Sequence, residues 1–283
     1  MKILITGVNG QVGHALMREL TEHELIGLTR EDCDLTNPDQ IKQVIDQHQP
    51  ELIINPAAYT KVDQAEDEPK LAFQINRDAP RVMAGKAREY HIPIIHFSTD
   101  YVLDGEKEEA YVETDLTNPL GIYGQSKCAG EEAVQAVGGL YYILRTSWMY
   151  SNRGQNFYLT MRRLSHERDE IKVVSDQIGV PTSSLFIAEQ IEKMIPQLRE
   201  NNTGLYHLVP QESCSWYDFA RQIISQTNHD FNCKHLHPIE SEAFKTKAQR
   251  PRHNILNNHK IQQAFMLTFE HWHKGLERVI NEA

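Results

Sequence analysis

The sequence predicts an α/β fold built on a doubly wound parallel sheet, with a smaller, mostly helical C-terminal lobe. Strand-like and helix-like runs alternate through the first half of the 283 residues, and repeated β-α units form a parallel sheet covered by helices on both faces. A glycine turn, Gly7-x-x-Gly10-x-x-Gly13, sits at the first strand-to-helix junction, the place where a Rossmann-type sheet seats a dinucleotide pyrophosphate. After about residue 150 the alternation gives way to short helices and loops.

The elements follow in order. Residues 2–6, Lys-Ile-Leu-Ile-Thr, form a short apolar run ending at the glycines. Glycine supplies positive φ and lets the backbone approach phosphate, while the helix-like run 11–20 offers unpaired N–H groups at its start. A strand is expected at 24–28. Asn37-Pro38 then marks the cap and first turn of a helix over 39–48. Strands at 52–55, 93–98 and 140–145 alternate with helices over 71–90 and 121–137. Beyond them come a helix at 156–166, a strand at 171–174, a helix at 185–198 and a strand at 205–208. We expect a dinucleotide-binding domain over 1–150, to which 183–209 returns, and a second lobe made of 151–182 and 210–283. No repeat or low-complexity linker separates the two, so the lobes should share strands and not hang on a tether.

Composition narrows the class. With 40% hydrophobic residues the chain can bury a full core. A net charge of −10 argues against nucleic-acid binding, which needs a basic surface. The fourteen histidines are scattered, with no H-E-x-x-H, and Cys33, Cys128, Cys214 and Cys233 form no C-x-x-C, so no metal centre is expected. The cysteines read as free thiols, Cys128 as a packing residue. No apolar run approaches the roughly 20 residues needed to cross a bilayer. A soluble cytoplasmic protein without nucleic-acid or membrane partners is expected.

Tyr123 and Lys127 form Y-x-x-x-K at a helix start, which puts both side chains on one face. With 11 tyrosines in the chain such a pair is weak by itself. Context strengthens it, because Ser98-Thr99-Asp100 ends a strand-like run and ligands bind at the carboxyl ends of the strands. Ketone reduction needs hydride at carbon and a proton on oxygen. A free phenol, with a pKa near 10, exchanges protons slowly at neutral pH. An ammonium within about 4 Å favours phenolate by roughly 4 kcal/mol at an effective dielectric of about 20, so a lowered Tyr123 pKa is expected. Thr99 would clamp the same carbonyl.

The glycine turn, Ser98-Thr99-Asp100-Tyr101-Val102 and Tyr123-Gly124-x-Ser126-Lys127 resemble the extended short-chain dehydrogenase/reductase superfamily. Further runs resemble its dTDP-4-dehydrorhamnose reductase family: Asn55-Pro56-Ala57-Ala58-Tyr59-Thr60-x-Val62-Asp63-x-Ala65-Glu66, Arg145-Thr146-Ser147-Trp148-x-Tyr150, Asn156-Phe157, Asp176-Gln177-x-Gly179-x-Pro181-Thr182 and Arg250-Pro251-Arg252. The resemblance spans residue 2 to about 280. It implies NAD(P)H-dependent reduction of the 4-keto group of dTDP-4-dehydro-6-deoxy-L-mannose to dTDP-L-rhamnose, a precursor of cell-surface polysaccharide such as lipopolysaccharide.

Carried over position by position, the resemblance makes Thr99, Tyr123 and Lys127 the catalytic trio, the last two also touching the coenzyme. Gly7, Gly10, Gln11, Val12 and Gly13 would meet the pyrophosphate. Asp34-Leu35 would border the adenine, and Ala57, Ala58, Tyr59 and Thr60 would line the coenzyme further along. Asp100, Tyr101, Trp148 and Asn156 would join Thr99 on the sugar side, with Arg250 and Arg252 on the diphosphate. The second strand ends Thr29-Arg30 with no acid before Glu31, which favours NADPH with NADH accepted.

Two departures stand out. Some relatives carry a first-helix carboxylate that helps bridge a metal-linked dimer. Here that stretch reads His14-Ala15, so a magnesium-dependent dimer is not expected, and monomer and homodimer both stay open. Tyr59 stands where some relatives have His. Two rival readings are a nucleotide-sugar epimerase or dehydratase of the same superfamily and a non-catalytic NADP-binding regulatory subunit. Asp100 is followed by Tyr101 and not by the Glu of Asp-Glu dehydratases, and the intact trio argues against a silent subunit.

Overall fold

The computed structural model describes residues 1–226 and 232–282. The elements of the first part are β1 (Lys2–Thr6), α1 (Gln11–Glu19), β2 (Glu24–Leu28), α2 (Pro38–His48), β3 (Leu52–Asn55), α3 (Val62–Ala65), α4 (Pro69–Phe73), a π-turn (Gln74–Asp78), α5 (Ala79–Glu89), β4 (Ile94–Thr99), a 3-10 turn (Asp100–Val102), α6 (Ile122–Val137) and β5 (Tyr141–Thr146). The second part holds β6 (Met149–Tyr150), α7 (Phe157–Glu167), β7 (Glu170–Val174), β8 (Ile178–Gly179), β9 (Thr182–Ser183), α8 (Ser184–Met194), β10 (Gly204–His207), β11 (Cys214–Ser215), α9 (Trp216–Gln226), β12 (His235–Ile239), α10 (His259–Ala264) and α11 (Trp272–Asn281).

The central sheet has six strands in the order β10-β5-β4-β3-β1-β2, all paired in parallel. β3 and β4 are buried along their whole length, as expected of inner parallel strands covered on both faces. One face packs Ile3, Ile5, Ile54, Phe97 and Leu144 against α1 and α8. The other packs Leu4, Ile53 and Ile143 against α2, α5 and α6. A separate core of Tyr150, Tyr158, Phe219 and Trp272 holds α7, α9 and α11 together. Strand order reverses between β1 and β3, so a crevice opens where their carboxyl ends diverge.

The first three strands have the expected bounds, and β10 joins β5 from the far half of the chain. The long helix expected over 71–90 is broken by the π-turn. Pro80 has no N–H to give the Asn76 carbonyl, so the turn there widens. The same carbonyl faces Gly130 of α6, where a Cβ would lie 2.1 Å away. Close helix contact therefore occupies the released carbonyl side. The helix expected over 185–198 ends at Met194 and continues as a 3-10 turn containing Pro196. The sequence missed β12, which pairs in parallel with β7, because His-Leu-His-Pro-Ile is largely polar and carries a proline.

Candidate active site

The glycine turn joins two strand tips. Gly7 has φ +61, and a Cβ there would stand 3.0 Å from the Ala57 Cβ. Gly13 lies so close beneath the turn that its Cβ would meet the Gly7 carbonyl at 2.4 Å. The Gly10 N–H donates to the Gly7 carbonyl at 2.8 Å. Thr6 Oγ1 donates to Asn55 Oδ1 at 2.6 Å and accepts from the Ala57 N–H at 3.3 Å, stitching β1 to β3. α1 starts at Gly10 without a side-chain cap and without an acidic residue in its first turn. The N–H groups of Gln11, Val12 and Gly13 thus head a helix whose dipole favours an anion.

Asn156 needs correction. Gln11 Oε1 accepts from Ser151 Oγ at 2.8 Å and Asn156 Nδ2 at 2.9 Å, which fixes the side chain and leaves its backbone N–H at the head of α1. Asn156 Nδ2 also donates to the Ser151 and Arg153 carbonyls, while its Oδ1 caps α7 at the Leu159 N–H. Both ends of that amide are engaged inside the protein, so its role is to tie the second part of the chain to the glycine turn and not to touch sugar.

At the tip of β2, Arg30 is exposed. Thr29 donates through its N–H and hydroxyl to Asp32 Oδ2 at 2.8 and 2.7 Å. Asp32 is a carboxylate the sequence did not single out; it folds back because the chain turns at Thr29. Asp34 accepts from Thr36 N and Oγ1, bonds that hold its pKa below the usual value, and Leu35 packs on the neighbouring core.

Ala57, Ala58 and Thr60 lie in the loop after β3. The Tyr59 phenol turns away and donates to Glu68 Oε2 at 2.7 Å, so burial and that carboxylate push it up to about 12. Its backbone is held on both sides by Asn76: the Tyr59 N–H donates to Oδ1 at 2.8 Å, and Nδ2 donates to the Tyr59 carbonyl at 3.1 Å. Asn76 Nδ2 also reaches Ser126 Oγ at 2.9 Å, and Ser126 donates to the Tyr123 carbonyl at 2.8 Å. The π-turn therefore links the coenzyme side of the crevice to the helix bearing Tyr123.

α6 is seated by contacts far away in sequence. Glu66 Oε1 accepts from the Ile122 N–H at 2.8 Å, which satisfies a helix-start donor. Gly124 allows the Tyr101 carbonyl in close, since a Cβ would be 2.2 Å from it. Thr99 lies close enough to Tyr123 for its hydroxyl to favour the phenolate. Thr99 Oγ1 also lies 3.0 Å from Asp100 Oδ1 and accepts from the Tyr101 N–H at 3.2 Å. The Tyr101 ring meets Tyr123 edge-on at 5.7 Å. Tyr123 is half-buried and Thr99 is buried.

The expected lowering of the Tyr123 pKa is not what the structure shows. Burial, aided by nearby Asp100, pushes the phenol up to about 12 against the opposing pull of the Thr99 hydroxyl. Lys127 is 2% exposed and donates to the Phe97 carbonyl at 2.5 Å; burial draws its amine down to about 8, opposed by Glu131. Desolvation is the dominant cause at both residues. Burial likewise raises Asp100 to about 7, and its Oδ2 has no partner.

Trp148 lies two residues beyond Thr146, the register partner of Thr99. Its φ of +43 is unusual for a bulky residue and turns the indole over Gly179, where a Cβ would come within 2.4 Å of the ring. The ring stacks on Trp216 of α9 with centroids 3.5 Å apart and planes 6° apart. Half-buried, the two indoles form an aromatic wall that sequence reasoning reached only from the Trp148 side; Trp216 carried no motif. Arg250 pairs with Asp63 at 3.1 Å, and Arg252 reaches Glu242 at 3.4 Å from an exposed position. Both arginines line an open cavity of about 500 Å³ with Asp104, Glu106, Glu108 and His253. Among the described residues no cluster of three or more His, Cys, Asp or Glu could hold a metal.

A parallel sheet with a glycine turn at its reversal point, and Thr, Tyr and Lys converging at the next strand tips, defines a nicotinamide-dependent oxidoreductase of the short-chain dehydrogenase/reductase type. The chain belongs to the family described as RmlD substrate binding domain, whose profile matches residues 1–283. It is 37% identical over 292 residues to the dTDP-4-dehydrorhamnose reductase of Escherichia coli K12, covering 100% of this chain and 98% of that one. Among solved structures it superposes on a dTDP-4-dehydrorhamnose reductase from Bacillus anthracis in complex with NADP, with a TM-score of 0.94 and 38% identity over 100% and 99% of the two chains. A UDP-glucose 4-epimerase from Thermus thermophilus, at 16% identity and a TM-score of 0.77 over 99% and 98%, shares the fold.

Proposed function

We propose that the protein is an NADPH-dependent 4-ketoreductase that converts dTDP-4-dehydro-6-deoxy-L-mannose to dTDP-L-rhamnose, as the last step of that sugar nucleotide's synthesis. The observation that carries this reading is that Thr99 ends β4 beside Tyr123, while Lys127, on the same face of α6, is buried and donates to the Phe97 carbonyl of that strand. The full-length match to reductases of that name supports the choice of substrate.

The tight glycine turn, which a Cβ at Gly13 would force apart, and the uncapped start of α1 fit a dinucleotide diphosphate. Gln11, Val12 and Gly13 hold it through backbone N–H groups. Thr29 and Arg30 face the adenine ribose, where Arg30 favours the 2′-phosphate. Asp34 and Leu35 border the adenine, and residues 57–60 line the nicotinamide half. When bound, NADPH supplies the hydride.

The chain's own residues do the rest. Thr99 and Tyr123 approach the carbonyl oxygen and fix its orientation. A phenol raised to about 12 is protonated at neutral pH, so Tyr123 stands ready as the acid that delivers a proton to that oxygen. The Thr99 hydroxyl and the Lys127 charge stabilise the phenolate left behind. Trp148, backed by Trp216, offers the sugar an apolar face, while Asp100 and Tyr101 close the other side and Arg250 and Arg252 meet the diphosphate. The catalytic trio and the glycine cradle both come from one chain, which works in the cytoplasm; among the described residues no helix is long and apolar enough to cross a membrane.

The test is a coupled assay. dTDP-glucose is supplied with a dehydratase and an epimerase that make the 4-keto sugar, NADPH consumption is followed, and the product is identified. Formation of dTDP-L-rhamnose supports the assignment; its absence with both NADPH and NADH refutes it.

A further inference from the structure

Beneath the catalytic pair lies a buried charge cluster that the reaction described above does not use. Tyr123, Lys127 and Glu131 follow one another at intervals of four along α6, a single stripe facing the sheet. Glu131 is 3% exposed and Arg145 of β5 also 3%. They pair in bidentate fashion, Nε to Oε1 at 2.8 Å and Nη2 to Oε2 at 2.7 Å. Ser98 Oγ donates to the same Oε1 at 2.5 Å. Ser98 and Arg145 are register partners on β4 and β5, one residue before the Thr99–Thr146 pair. One carboxylate thus joins the helix carrying Tyr123 and Lys127 to the strand carrying Thr99, directly below the reacting atoms.

We propose that Glu131 is the positioning residue of the active site: held by Arg145 and Ser98, its carboxylate sets α6 in register with the tip of β4 and places a negative charge on the same helix face as Lys127. This inference rests on the ketoreductase reading. Four titratable or charged groups share the interior with Lys127: Tyr123 and Glu131 on its own helix, His96 on β4 and Arg145 on β5. Asp100, at the head of the 3-10 turn, acts on Tyr123. His96 is held neutral by burial and by Lys127, and Tyr123 titrates well above Lys127. Above the range near 7 in which Asp100 titrates, the Lys127 ammonium is the next group to lose its proton, and Glu131 is the carboxylate that opposes its desolvation.

The test replaces the charge and keeps the shape. In Glu131→Gln the alkaline limb of the kcat/KM profile is expected to move down by about one pH unit, so that activity on the alkaline side falls about tenfold below wild type. Glu131→Asp, which retains the charge, is expected to return the limb to its wild-type position. NADPH affinity, measured by titration without turnover, is expected to show the same shift. That second readout separates the two ideas, since a chain that reduces no 4-keto sugar defeats the functional reading whether or not the binding limb moves. If Glu131→Gln does not fold, Arg145→Gln, which removes the guanidinium that offsets the carboxylate and keeps Glu131, should shift the limb in the opposite direction. An unmoved limb, including a loss of activity uniform across pH, would overturn the proposal and leave Glu131 a structural ion pair only.

Discussion

Tyr123 and Lys127 are both governed by burial, and this changes what each can do. A phenol raised to about 12 stays protonated at neutral pH, as the proposed acid role requires, whereas the sequence suggests a phenol eased toward its anion. Tyr123→Phe is expected to lower turnover at least about 100-fold while NADPH still binds, as fluorescence titration would show. Asp100 offers a second check. Its carboxyl rises from 3.8 to about 7 on folding, so between those values the folded state holds a proton that the unfolded state has released. The resulting stabilisation is complete below 3.8 and is lost as pH rises through 7. Asp100→Asn, which cannot ionise, should therefore melt higher than wild type above neutral pH, with the gap closing toward acid pH in calorimetry. A gap independent of pH would contradict the raised carboxyl.

Among the elements, the π-turn and α6 matter most, because their contact places the catalytic helix. Pro80 withholds an N–H from Asn76, whose carbonyl then meets Gly130 while its side chain grips the Tyr59 backbone and Ser126. Gly130→Ala would set a methyl 2.1 Å from that carbonyl. The strain should destabilise the fold by about 1–3 kcal/mol and lower kcat by shifting α6, which thermal melts and initial rates would register together. These contacts were hidden in the sequence: Asn76 and Ser126 are 50 residues apart, and Glu66 and Ile122 are 56 apart. The regular strands were readable because apolar runs of the right length, bounded by glycine and proline, leave few alternatives. β12 was not, because pairing with β7 overrides its polar composition.

At the scale of the molecule, small polar ties bring the later part of the chain over the crevice. Asn156 and Ser151 reach Gln11, Arg250 reaches Asp63, and Lys247 meets Asp67. The Arg250–Asp63 pair is partly exposed, and such pairs contribute only about 0–1 kcal/mol to stability. Its consequence should lie in binding. Arg250→Ala is expected to raise KM for the sugar nucleotide about tenfold, with little change in melting temperature or NADPH affinity; an unchanged KM would remove Arg250 from the diphosphate site.

The sequence by itself determined the layered α/β architecture, the glycine cradle and the trio Thr99, Tyr123 and Lys127. Each of these is written in local signals: apolar periodicity, a turn that only glycine can make, and spacing along one helix. Only the tertiary structure decided that Asn156 braces Gln11, that Trp216 backs Trp148, that Glu131 lies beneath Lys127 joined to Arg145, and that burial sets the proton affinities of the pair. Those outcomes depend on which distant side chains the packed sheet brings together and on how much water it excludes, and neither quantity is encoded in the neighbourhood of any one residue.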